Sequence, residues 1–198
     1  MSNYLKLNKS SKLLLSIEDI ASLLSISKES AKVTAVRYKN KGFLTRIKKD
    51  LYILRTKFEI LHENELYKIA NLIQTPSYIS LTTALSFYNI TTQQQINYIE
   101  SIASKRSKTV NVEDVEFSFT LIKDKLYNGF IRENDFFIAL PDKAFSDSVY
   151  LTSLGKYNCD FEAIDFSKIN KSKVEQYLKN TNDRTKNFWT KLCKTYKI

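Results

Sequence analysis

From Leu15 to Leu44 the chain reads LSIEDIASLLSISKESAKVTAVRYKNKGFL, and its apolar positions recur at helical spacing twice. Ile17, Ile20, Ala21, Leu23 and Leu24 mark a first short helix. Ser16 stands where a cap belongs, and Asp19 three residues later completes the signature of a capping box. The pattern breaks after Leu24. Ser27 then opens a second helix, in which Ala31, Thr34, Ala35 and Tyr38 fall on one stripe and predict the face that packs on the first helix. Gly42 stops it, as a residue free to adopt the left-handed backbone. Residues 43–47 and 51–54 are β-prone, with Lys48, Lys49 and Asp50 as the turn between them.

Beyond residue 60 the periodicity changes several times. Glu63 to Ile73 reads as a helix with Leu66, Ile69, Ala70 and Ile73 on one side, ended by Pro76. Ser80 is placed to cap a helix over Leu81–Tyr88. From Ile96 to Leu140 β-branched and aromatic residues alternate with polar ones. Val110, Val112, Val115, Phe117, Phe119 and Leu121 predict a hairpin with one buried face and Glu113-Asp114 as its turn. Helices return over Lys143–Leu154, Val174–Lys179 and Arg184–Tyr196. Blocks of strand and helix without strict alternation predict an α+β protein. The expected organisation is an N-terminal winged helix-turn-helix over residues 1–60, followed by a mixed α/β C-terminal domain over 61–198.

Charge sharpens this picture. The chain carries 31 Lys+Arg against 21 Asp+Glu, a net +10. Residues 1–60 hold 13 basic and 5 acidic residues (13 − 5 = +8), and residues 61–198 hold 18 and 16 (18 − 16 = +2). Solubility does not require such segregation, and a basic block on an otherwise balanced chain points to a polyanion partner. The solvent face of the second helix bears Glu29, Ser30, Val33, Val36, Arg37 and Asn40, flanked by Lys28, Lys32 and Lys41. Arg37 suits the edge of a guanine, and Val33 and Val36 suit thymine methyl groups. The valines would serve equally well as a packing face, and the pattern leaves both uses open. Arg46 on the first strand and Lys48 and Lys49 at the hairpin tip suit backbone phosphates, which strengthen binding without reading sequence. The expected partner is therefore double-stranded DNA. Lys105, Arg106 and Lys108 form a second basic knot, either a solvated loop or a further backbone contact.

Three segments, in this order, resemble the AbiEi-type antitoxins of bacterial type IV toxin–antitoxin systems. They are Leu15–Leu54, SYISLTTALSFYNI (Ser77–Ile90) and FFIALPDKAFSDSVYL (Phe136–Leu151), together roughly half of the chain. The chain departs from the family pattern at Asp50, where a glycine is usual in the wing turn, and at Tyr88-Asn89, where His-Gly is common. Asp and Asn tolerate the left-handed region better than most residues, so both turns can survive. The resemblance implies a repressor of its own two-gene operon that binds promoter repeats. It also implies a C-terminal domain that counters a nucleotidyltransferase-like toxin, without a need for a stable complex.

No constellation of catalytic groups stands out. The chain has three glycines and one histidine, His62, and shows no phosphate-binding glycine loop. Asp142 and Asp147 are five apart and share a helix face poorly; Asp147 is expected to cap or pair locally. Lys143 would contact a phosphate or cover a helix start. Tyr78, Phe87, Tyr88 and Tyr98 cluster around the second motif and are expected to be core. Cys159 and Cys193 lack metal or disulfide spacing. The expectation is a protein without enzymatic activity, cofactor or metal. No apolar run approaches the roughly 18 residues of a membrane span, and the first thirty residues lack a secretory pattern. The expected compartment is the cytoplasm. Two alternatives remain: a ligand-responsive repressor without a toxin, and a nuclease-like domain delivered to DNA.

Overall fold

The structure is a computed structural model that describes residues 3–198. It is a mixed α+β protein with two sheets. The chain divides into two compact units, residues 1–69 and 70–198.

The first unit runs α1 (Asn3–Asn8), β1 (Leu14–Ser16), α2 (Ile17–Leu24), α3 (Lys28–Asn40), β2 (Leu44–Lys48), β3 (Leu51–Leu54) and α4 (Arg55–Phe58), and then enters α5 (Glu63–Ile73), inside which the division falls. The capping box is present. The Asp19 N–H donates to Ser16 Oγ at 3.1 Å, and the Ser16 N–H donates to Asp19 Oδ2 at 2.9 Å. Ser25 ends α2 in the left-handed region, and Ser27 Oγ caps α3 by accepting from the Ser30 N–H at 3.2 Å. Ala31, Thr34, Ala35 and Tyr38 are buried. The small side chains on this stripe let α2 and α3 approach closely. Neither α1 nor β1 was expected from the pattern.

The three strands form an antiparallel sheet in the order β1-β3-β2. The register of β2 on β3 shifts between Arg46 and Lys48, so Ile47 is the extra residue of a β-bulge. Bulges twist a hairpin and re-aim its tip. Asp50 stands at φ 60° in the turn, which is the left-handed conformation a glycine would supply without strain.

The second unit contains β4 (Ser77–Ile79), α6 (Leu81–Phe87), β5 (Tyr98–Ala103), β6 (Lys108–Val112), β7 (Val115–Leu121), β8 (Phe130–Glu133), β9 (Phe136–Ala139), α7 (Pro141–Ser153), α8 (Lys171–Leu178) and α9 (Asp183–Tyr196). Its six-stranded sheet has the order β6-β7-β5-β4-β9-β8. β5 is parallel to β7 and β4 to β9, and the other neighbours are antiparallel. Val112, Val115, Phe117 and Phe119 are buried as the alternation predicts, whereas Leu121 is exposed and Ile122 takes the buried place. Tyr67, not Leu66, joins Ile69, Ala70 and Ile73 on the buried side of α5.

Helix α7 packs against α6, α8 and α9. Eleven of its thirteen residues are buried, although its sequence PDKAFSDSVYLTS is largely polar. Its serines resolve the conflict by donating to backbone carbonyls of their own helix. Ser146 bonds Asp142 O at 2.6 Å, Ser148 bonds Ala144 O at 3.1 Å and Ser153 bonds Tyr150 O at 2.7 Å. A hydroxyl satisfied in this way can sit in a core without an orphaned donor.

Candidate nucleic-acid interface

All ten residues singled out for DNA contact are exposed: Lys28, Ser30, Lys32, Val33, Val36, Arg37, Lys41, Arg46, Lys48 and Lys49. Along α3, Lys32, Val33, Val36, Arg37, Asn40 and Lys41 line one shallow, open depression. Val33 is 68% exposed and Val36 51%. In the described structure, therefore, neither valine packs against another helix. The Arg37 guanidinium carbon lies 5.6 Å from the Tyr38 ring centroid, a cation–π contact made by a side chain that remains exposed.

Several of the ten have partners within the chain. Lys28 pairs with Glu18 of α2, which pulls the Glu18 carboxyl below its ordinary range and raises the Lys28 ammonium. Asp50 at the hairpin tip and Glu29 add to the field that keeps Lys28 charged. The tip is thus within Coulomb reach of the α3 N-terminus, and Lys28 is the lysine on this helix with the most compensated charge. Ser30 Oγ accepts a hydrogen bond from Ser27 Oγ at 3.0 Å as part of the cap. On the hairpin, Arg46 Nε donates to Lys48 O at 3.3 Å across the bulge. This bond ties the arginine to the turn that carries Lys48 and Lys49.

The second basic knot splits. Lys105 and Arg106 are exposed. Lys108 instead donates to Ile73 O at 3.1 Å and lies 5.3 Å from the Phe119 ring centroid, so it braces the sheet edge.

Lys143 is not at the surface. It is 3% exposed and forms a buried ion pair with Asp147. Asp147 Oδ2 also accepts from the Tyr78 hydroxyl at 3.0 Å and from Ser80 Oγ at 2.9 Å. Ser80 therefore does not cap α6 with its side chain. The N–H groups of Thr82 and Thr83 turn to the Glu100 carboxylate of β5, which also accepts from the Tyr157 hydroxyl at 3.1 Å. The first residue of α6, Leu81, sits at φ 57°, a strained position for a branched side chain. Burial pushes the Glu100 carboxyl up to about 6 and the Tyr78 hydroxyl well above its usual range. Ser80, Asp147 and Lys143 have the composition of an activated nucleophile, but Ser80 is wholly buried and closed to a substrate. The i, i+4 spacing of Lys143 and Asp147 was the available signal for this pair. Their burial had no signal, because α7 looks like a surface helix.

His62 is exposed. No group of three or more metal-ligating side chains occurs among the described residues, and no helix among them is long and apolar enough to cross a membrane.

No protein-family model matches the chain, and no curated protein matches it. Among solved structures, the crystal structure of the RV2827C protein from Mycobacterium tuberculosis is similar, with a TM-score of 0.61 over 92% of this chain and 71% of that one. Sequence identity is 9%, so the likeness shows a shared mixed α+β fold and nothing further.

Proposed function

We propose that the first unit is a winged helix-turn-helix that binds double-stranded DNA, and that the chain represses its own operon as an antitoxin of the AbiEi type. In this reading α3 enters the major groove, with Arg37 on a base edge and Val33 and Val36 against thymine methyls. The β2–β3 hairpin is the wing, and Lys48 and Lys49 contact phosphates. The second unit counters a nucleotidyltransferase-like toxin without a stable complex.

One observation carries the DNA reading: two valines stand in solvent beside Arg37, Lys32 and Lys41 on a helix whose opposite stripe is buried. An exposed apolar pair ringed by cations is costly in water and useful against a methyl-bearing, anionic groove. The antitoxin reading rests on the three resembling segments. Nuclease footprinting on the duplex upstream of the chain's own gene tests the first part. A protected inverted repeat that Arg37→Ala abolishes supports it, and an unprotected promoter refutes it. Co-expression with the adjacent gene tests the second part: rescue of growth supports it, and continued arrest refutes it.

A further inference from the structure

A cleft in the second unit is unrelated to α3 and has a character of its own. It has a volume of about 790 Å³ and lies between the start of α7, the chain around Asn128 and helix α8. Lys125, Lys168, Lys173 and Lys179 line it, and Asp142 is the one carboxylate among the described lining residues. That carboxylate is already engaged. Asp142 Oδ1 accepts from the Asn170 N–H at 2.7 Å, and Oδ2 lies 3.7 Å from Lys173 Nζ. Lys168 pairs with Asp165 at 3.4 Å at the surface. Lys125 and Lys179 have no ion-pair partner among the described residues. The cleft thus holds an uncompensated positive field between walls of protein, where charge acts more strongly than on an open face.

Two further features suit an anion with a polar body. The N-terminus of α7 opens onto the same wall, and its N-cap residue, Leu140, offers no side-chain acceptor to the first turn. The side-chain amides of Asn128, Gln176 and Asn180 line the cleft and present donors and acceptors of the kind that orient a small ligand. Gly129, next to the lining residue Asn128, packs against Tyr177 of the same wall. A Cβ at this position would stand 2.7 Å from Tyr177 Cε1 and 2.9 Å from Lys143 Cγ. The Tyr177 ring and the buried Lys143 stem therefore pack tightly around Gly129.

We propose that this cleft binds a small ligand bearing an oligophosphate. The volume falls in the range of ordinary ligand sites, roughly 300–1,000 Å³, and accommodates a nucleoside triphosphate. The lysines take the phosphates, and the amides face the remainder. Nucleotides and inorganic polyphosphate share this chemistry.

Calorimetric titration of the full chain with ATP, GTP and inorganic tripolyphosphate tests the proposal. Three proteins are compared: the wild type, Lys125→Glu/Lys179→Glu, and Lys48→Ala/Lys49→Ala. Lys125 and Lys179 are exposed, so their replacement leaves the fold intact, as circular dichroism will verify. The expected result is binding that weakens at least tenfold in the cleft variant and is unchanged in the hairpin variant. Tighter binding of ATP or GTP than of tripolyphosphate assigns the site to nucleotides. Equal binding assigns it to inorganic polyphosphate. Absence of binding by all three, loss confined to the hairpin variant, or equal affinity in the cleft variant and the wild type overturns the proposal.

Discussion

The Ser80 hydroxyl donates to Asp147 Oδ2 across 2.9 Å, joining the junction of β4 and α6 to the middle of α7. Tyr78 donates to the same oxygen, and Lys143 pairs with the other. Three side chains, two of them more than sixty residues away in sequence, thus converge on one buried carboxylate. A buried pair of this kind gains little over a well-packed apolar pair, but breaking it leaves an unpaired charge in the core.

Asp147→Ala is therefore predicted to destabilise the second unit by about 3–5 kcal/mol. The double replacement Lys143→Met/Asp147→Leu, which removes both charges, is predicted to cost less than the single one. Urea denaturation of the two variants checks the order. A double variant less stable than Asp147→Ala would show that the ion pair itself drives folding.

Glu100 gives the second unit a pH dependence of definite sign. Its carboxyl is raised from an ordinary 4.5 to about 6, chiefly by burial. Between those values the folded chain keeps a proton that the unfolded chain has released, so this group favours folding in acid. Its contribution falls as pH rises through about 6. The loss amounts to about 2 kcal/mol. Glu100→Gln removes it, so the stability difference between variant and wild type should move in the variant's favour by that amount between pH 4.5 and pH 7. A difference independent of pH would mean that Glu100 titrates normally.

Much of the first unit was readable because its signals are local. Ser16 and Asp19 are three apart, the stripe from Ala31 to Tyr38 keeps one period, and the turn at Lys49-Asp50 announces itself by composition. Asp50 and Asn89 take the left-handed backbone that their residue types permit, at φ 60° and 55°. The unread parts depend on long-range partners. Ser80 looks like a cap, yet its hydroxyl is claimed by an aspartate 67 residues away, and the helix start is served instead by Glu100 from a strand. Strand β4 spans only three residues, and its central place in the sheet comes from its neighbours rather than from any pattern of its own. Helix α7 hides its burial, since serines bonded to their own helix read like surface residues. Lys28 was read as available charge; the fold spends it on Glu18, which only the packing of α2 beside α3 reveals.

Val33 and Val36 are exposed on α3, and replacing Val33 tests the proposed DNA contact. Val33→Ser is predicted to change stability by less than about 0.5 kcal/mol, as surface replacements usually do. It should weaken binding to the chain's own promoter by about 1–3 kcal/mol if a base contact is lost, with little effect on random duplex. Thermal unfolding and fluorescence anisotropy on the two duplexes measure these quantities. Unchanged promoter affinity would remove Val33 from the interface.

The central claim is that cations of the first unit meet the phosphates of a duplex together. Its most direct test is the slope of log affinity against log salt for the wild type and for Lys48→Ala/Lys49→Ala. Each phosphate contact contributes about 0.9 to the slope, so the variant should lose about 1.8 of its magnitude and bind promoter and random DNA more weakly to the same degree. An unchanged slope, or a wild type whose affinity ignores salt, would contradict the account.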